Sequence, residues 1–320
     1  MSLLHPDAPE DEREESEPIA PDFLRLPQPE RYFAARAARL RQLAQNSEQA
    51  ALLDFCAQLT QAQQQALEEF PAVPLPDADA LALREGCHPP LQASVHARAP
   101  AWLEALRCLA RRMQSCTEEP ERAALERLAS ARAAQLETQA DLILHGAAGE
   151  QIAGEPDRAG APVIAAALQV YWTHMVTNLA RCAPDVFERT ADITRCPCCG
   201  SLPVASIVRA AHGHSVHRYL HCALCGCEWH VARARCCCCK GAHGIAYQRL
   251  PVADAQRAAH AIVQAETCSV CRHYVKMIRD DRAAGVDAAA DDLASLALDV
   301  RMTEAGIERH GLNLMRPFGE

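Results

Sequence analysis

Eight cysteines stand as four C-x-x-C pairs, Cys196/Cys199, Cys222/Cys225, Cys236/Cys239 and Cys268/Cys271, inside the 76 residues from 196 to 271. A two-residue gap lets one tight turn aim two sulfurs at the same ion, and four thiolates fill the tetrahedral shell of a divalent metal. Two tetrathiolate metal sites are therefore expected, with Cys196, Cys199, Cys222, Cys225, Cys236, Cys239, Cys268 and Cys271 as ligands. Chance clustering is a poor alternative, since twelve of the seventeen cysteines lie in this stretch. The first two pairs are followed by Gly200 and Gly226, where a positive φ closes a metal knuckle around amides directed at sulfur. Sequential pairing, first with second and third with fourth, is favoured over interleaving because its connections are short, 22 and 28 residues.

Other thiols and imidazoles crowd these positions. Cys198, Cys227, Cys237 and Cys238 are surplus thiols able to substitute, bridge or oxidise, but the spacing prefers the outer members of each pair. Eight of the fourteen histidines fall between 212 and 273; four complete pairs already fill both shells, so His221 and His230 read as strand residues or donors to the ligands. Cys56, Cys87, Cys108, Cys116 and Cys182 lack paired spacing and read as core or surface thiols. His174 beside Tyr171 and Trp172 reads as a packing face, and His88 and His96 carry no signal.

The elements that must position the pairs divide the chain. Residues 1–29 form an acidic, proline-interrupted lead expected to stay mobile or draped, because it has little apolar surface to bury. Residues 30–183 read as an all-helical domain. Leu52, Phe55 and Leu59 recur at helical spacing, as do Trp102, Leu106 and Leu109, then Leu125, Leu128, Leu136 and Ile143, and finally Ile164, Leu168, Tyr171, Met175 and Leu179. Residues 46–49 offer a cap between two helices, and Gly146 a left-handed helix stop. After 195 the pattern changes to short β-prone runs at 204–208, 216–220, 229–231, 245–250 and 274–278. The fold class is thus α+β: an all-α N-terminal domain, then two tandem rubredoxin-like or zinc-ribbon modules of short antiparallel strands, at 190–234 and 235–280. A C-terminal helical segment and tail, 281–320, closes the chain; Leu293, Leu296 and Val300 are expected to pack inward and Asp291, Asp292 and Asp299 to be solvated. Trp229 is expected in a ribbon core. Such short strands need help: a structural metal contributes about 10–16 kcal/mol, comparable with the about 5–15 kcal/mol net stability of a protein.

Composition narrows the function. The first thirty residues carry nine acidic side chains, two arginines and six prolines, without a basic start and apolar run, so no secretory signal is expected. No apolar stretch approaches the about 18 residues of a membrane span. A cytoplasmic protein is expected, in a reducing compartment that keeps thiols free for metal. Net charge is −9. Between 195 and 272 nine Lys/Arg and three Asp/Glu give +6, and two tetrathiolate sites of −2 each lower that to about +2, which disfavours a zinc-ribbon protein for nucleic acid. No phosphate loop, H-E-x-x-H or G-x-S-x-G accompanies the thiols, and closed shells leave no position for substrate. Two classes stay open: a non-enzymatic binding protein presenting metal-shaped ribbons, and a rubredoxin-like iron redox protein, since Cys196-Pro197-Cys198-Cys199-Gly200 is a rubredoxin-type knuckle.

The order of features resembles the formate dehydrogenase accessory proteins of the FdhE type. Residues 21–27 (PDFLRLP), 195–206 (RCPCCGSLPVAS), 218–222 (RYLHC) through Cys225, Glu228-Trp229-His230, 265–268 (AETC) through Cys271, and 291–299 (DDLASLALD) carry the likeness. They span nearly the whole chain. The resemblance implies a cytoplasmic accessory protein, not an enzyme, needed for active respiratory formate dehydrogenase. It would act on the catalytic subunit before export and bind two metal ions, iron favoured over zinc, through the eight paired cysteines. Nucleic acid and membrane insertion are not implied, and homodimerisation stays open. Cys236-Cys237-Cys238-Cys239 departs from the pattern by filling both middle positions with cysteine.

Overall fold

Helix-forming Ala, Leu, Arg and Gln dominate residues 30–70, and in the computed structural model they build α1 (Tyr32–Ala44) and α2 (Ala50–Glu68). The structure describes residues 21–45, 47–77, 88–119, 121–187, 192–210, 216–250, 262–283 and 285–316; Asn46 of the expected cap, Cys87 and most of the acidic lead lie outside them, and at the other end of that cap Gln49 is the N-cap residue of α2 without a side-chain capping bond. Four helices follow: α3 (Ala101–Gln114), α4 (Glu121–Ser130), α5 (Ala133–Ala147) and α6 (Ala161–Cys182). Sixteen of the 22 residues of α6 are buried, which makes it the central strut rather than an amphipathic wall. Trp102, Leu106 and Leu109 of α3, Leu125 and Leu128 of α4, and Leu136 and Ile143 of α5 are all buried, as expected. On α2 the inward face is rotated: Leu53, Cys56 and Leu59 are buried, whereas Leu52 and Phe55 are half-buried. Gly146 lies within α5, and the left-handed residue after the helix is Gly149 (φ 69°).

Among the described residues the cysteine half and a short strand from the lead form one eight-stranded sheet. Its strands are β1 (Leu24–Arg25), β2 (Pro203–Ala210), β3 (Val216–Cys222), β4 (Glu228–His230), β5 (Ile245–Gln248), β6 (Val263–Cys268), β7 (His273–Arg279) and β8 (Glu308–Arg309), in the order β1-β4-β3-β2-β7-β6-β5 with β8 beside β7. Each ribbon is antiparallel, and the two are fused where β2 runs parallel to β7, with Ser206 opposite Met277 and Val208 opposite Arg279. β1 shows that the lead is ordered at its end, Leu24 pairing with Trp229. Trp229 is buried in the core, as expected.

Two short helices, α7 (Ala288–Leu293) and α8 (Leu296–Glu304), make up the C-terminal helical segment. Asp287 caps α7, accepting from the amides of Ala289 and Ala290 at 3.0 and 2.8 Å. The expected orientation is corrected here: Asp291, Asp292 and Asp299 are buried and Val300 is exposed. The carboxylates meet cations from distant segments, Arg39 on Asp291, Lys276 and Arg309 on Asp292 and Asp299, and Arg36 on Asp287.

Candidate metal centres

Three of the four C-x-x-C pairs sit on the same backbone device, in which the amide following the second cysteine returns to the carbonyl of the first. Gly200 N donates to Cys196 O at 2.9 Å, Lys240 N to Cys236 O at 3.1 Å, and Arg272 N to Cys268 O at 2.9 Å. The residue after the second cysteine takes a positive φ in all four: Gly200 74°, Gly226 75°, Lys240 64° and Arg272 57°. Glycine supplies this without strain in the first cluster. In the second, Lys240 and Arg272 occupy it against their preference. Gly226 is further constrained, because a Cβ there would run into the Tyr32 ring.

The turns bring the sulfurs together in two sequential groups. Cys196, Cys199, Cys222 and Cys225 form one and Cys236, Cys239, Cys268 and Cys271 the other, all sulfurs of a group within 4.8 Å of one another. Cys196 Sγ lies 3.5 Å from Cys225 Sγ and Cys199 Sγ 3.4 Å from Cys222 Sγ; in the second group both Cys236–Cys271 and Cys239–Cys268 measure 3.8 Å. A tetrahedron with metal–sulfur bonds of about 2.3 Å has an edge of about 3.8 Å, so the donors fit a four-coordinate ion and are too far apart for disulfides. Amides point at sulfur as a metal knuckle requires: Leu224 N and Cys225 N lie 3.4 Å from Cys222 Sγ, and Cys238 N lies 3.4 Å from Cys236 Sγ. Burial pushes the Cys222 and Cys225 thiols well up. Four buried sulfurs at this spacing cannot all ionise without a cation, and a divalent ion such as iron or zinc would supply that charge.

The two centres differ in access. All four thiols of the first are buried, whereas in the second Cys239 is exposed and Cys271 half-buried. Burial opposes ionisation at Cys268, but amides of Cys271 and Val270 bring its pKa down to about 7. The surplus thiols divide likewise: Cys198, Cys227 and Cys237 are buried and Cys238 is half-buried. Cys238, Cys271 and His273 form a further group within 4.8 Å, which overlaps the second centre through Cys271. Away from the clusters, the buried Cys56 thiol is pushed up to about 12 by burial, Cys108 is half-buried, and Cys116 and Cys182 are exposed.

Behind the first centre lies a charged network that sequence reasoning did not find. His221, next to Cys222 on β3, places Nε2 3.0 Å from the Tyr32 hydroxyl and Nδ1 3.2 Å from Glu228. Arg209 donates to Glu228 and to Asp280. Burial disfavours the Glu228 carboxylate, yet His221 and Arg209 hold it well below the usual carboxylate range. The only signal was period-two alternation, which puts His221 and the Cys222 thiol on opposite faces. Also unforeseen is the segment around Leu91: Leu91 N and Ala93 N donate to Cys198 O and Cys199 O at 3.0 and 2.9 Å. From α6, Gln169 donates to Ala223 O at 2.8 Å. The first knuckles are thereby clamped to the helical half.

Comparison with known proteins agrees along the chain. The family description "FdhE, N-terminal" matches residues 21–186, "FdhE, central domain" 195–233 and "FdhE, C-terminal domain" 234–316. A "Protein FdhE homolog" from Edwardsiella ictaluri is 37% identical over 297 residues, 92% of this chain and 91% of that protein. Another from Yersinia pestis is 36% identical over 281 residues, 88% of this chain and 86% of the relative. The crystal structure of the FdhE protein from Pseudomonas aeruginosa superposes with a TM-score of 0.81 at 35% identity, covering 93% of this chain and 100% of that one.

Proposed function

The chain belongs to the FdhE family, and on that premise we propose that it is an accessory protein in the maturation of formate dehydrogenase. It binds the catalytic subunit of the respiratory enzyme in the cytoplasm before export, through a surface whose shape two tetrathiolate ions fix. Iron is favoured, and Cys196, Cys199, Cys222, Cys225, Cys236, Cys239, Cys268 and Cys271 are its ligands.

One observation carries this reading. Cys199 precedes β2 and Cys271 precedes β7, and these strands run parallel, so both thiol clusters lie at the same end of the sheet. Ions there set the positions of four turns at once, and a client surface can read that end as one unit. Closed shells at this end serve shape rather than substrate activation.

The test is co-purification of the metal-loaded chain with the dehydrogenase catalytic subunit. Cys222→Ser and Cys268→Ser variants are checked for solubility and metal content. We expect capture by the parent and loss of capture, with about one metal fewer per chain, in each variant. A folded, metal-loaded parent that fails to capture the subunit under oxidising and reducing conditions refutes the proposal. The exposure of Cys239 favours a second reading, iron redox chemistry at the second centre, which requires a reversible iron couple and reduction of a partner protein.

A further inference from the structure

The sheet has two unlike faces. Lys276 points from β7 to the carboxylates of α7 and α8, so Met277 and Arg279, one and three residues on, both point to the far side. That far face carries a cavity of about 540 Å³ lined by four arginines, Arg218, Arg233, Arg249 and Arg279, together with Tyr247 and Gln264. The volume falls in the range of about 300–1,000 Å³ typical of small-molecule sites.

Two of the four cations are locked in place. Arg218, with its side chain 1% exposed, donates to Glu266 at 2.6 Å and to Ser206 Oγ at 2.9 Å. Arg279 makes two bonds to Asp281, at 2.7 and 2.5 Å. Arg233 and Arg249 are exposed, and among the described residues neither has a carboxylate partner. With the Gln264 amide turned so that its oxygen faces Arg249, the orientation that satisfies both groups, it accepts from Nε at 2.8 Å and orients the guanidinium without neutralising it. Four arginines less two carboxylates leave +2 on this wall, in a chain of net charge −9. The Tyr247 ring, 49% exposed, stands beside these cations and offers a flat apolar surface.

We propose that this cavity binds a phosphate ester carrying a planar ring, of the nucleoside diphosphate class. Guanidinium forks match phosphate oxygens bidentately, and the excess of two positive charges suits a diphosphate. The exposed Tyr247 ring provides a stacking surface that an inorganic anion would leave unused. Arg218 and Arg279, whose guanidinium donors are taken by Glu266, Ser206, backbone carbonyls and Asp281, form a fixed floor, and the exposed Arg233 and Arg249 at the rim supply the direct phosphate contacts.

Isothermal titration of the full-length, metal-loaded chain tests this, with ADP, inorganic pyrophosphate, adenosine and a polyglutamate peptide as probes. We expect one ADP per chain, bound at least about tenfold tighter than adenosine, with affinity falling as salt rises. Arg249→Met and Arg233→Met should each weaken ADP about tenfold or more. Both positions are exposed, so metal content and melting temperature should stay at parent values. Tyr247→Leu should weaken ADP severalfold and leave pyrophosphate unchanged. Absence of saturable ADP binding, undiminished ADP binding by the Arg233→Met/Arg249→Met double variant, or binding of polyglutamate without ADP would each overturn the assignment.

Discussion

A neutral imidazole is what the fold demands at position 310. His310 is 9% exposed, its Nε2 is buried without a hydrogen-bond partner among the described residues, and burial together with the nearby His273 pushes its pKa down to about 4. An unfolded histidine titrates near 6.5. Between those values the unfolded chain binds a proton that the folded chain refuses, so this residue's contribution is intact above about pH 6.5 and declines as pH falls toward 4. A shift of this size corresponds to about 3 kcal/mol. His310→Asn should therefore flatten the acid side of the stability curve. Urea unfolding of parent and variant at pH 7, 6 and 5 checks this: the gap between them should move steadily in the variant's favour as pH falls. A gap independent of pH would show that His310 does not titrate in this window.

At the scale of elements, α7 and α8 are the brace that ties helices to sheet, and charge rather than apolar surface does much of the tying. Asp292 is fully buried and receives Arg309 at 2.7 Å, Asn313 at 2.8 Å and Lys276 at 3.3 Å; Arg36 and Arg39 reach Asp287 and Asp291 from α1. Removing one member strands the opposite charges, which typically costs about 3–5 kcal/mol. Asp292→Ala, leaving Lys276 with only Asp299 as an ionic partner, should destabilise the protein by about that much in denaturant titration; a loss under about 1 kcal/mol would mean water replaces the carboxylate. This brace also marks where the sequence stopped being legible. The helices of the first half announced themselves because apolar residues at helical spacing must face a core, and Leu168, Tyr171 and Met175 do so. The thiol groups were equally legible, because C-x-x-C spacing fixes local geometry. Acidic residues on a helix carry no such mark: Asp287 and Arg36 are 251 positions apart, and nothing local says that a carboxylate will be buried. Strand β6 was missed because its Gln264, Ala265 and Glu266 have low strand propensity and are held there by neighbours on both sides. The parallel join of β2 to β7, which turns two ribbons into one sheet, is a long-range pairing that neither ribbon's own sequence encodes.

For the whole molecule, the two centres have unequal reach. The first is clamped to the helical half through Leu91, Ala93 and Gln169, and Leu202 N donates to Ala147 O at the end of α5 at 2.8 Å. The second lies among β5, β6 and β7, toward the open edge of the sheet, with one thiol exposed. Since a structural metal contributes about as much free energy as a whole domain's net stability, removing it should melt whatever depends on its turns. Cys239→Ser should lose one metal and let amides of β5 and the adjoining knuckle exchange quickly, while α6 keeps its protection. Cys222→Ser should lose one metal and also release the 88–96 segment and the neighbouring turns of α6, because their hydrogen bonds end on the first knuckles. Native-state hydrogen exchange with metal analysis distinguishes these outcomes. Equal loss of protection throughout both variants would mean that the sheet and helices open as a single cooperative unit; loss confined to the sheet in both would mean that the clamp around Leu91 holds the helical half without its metal.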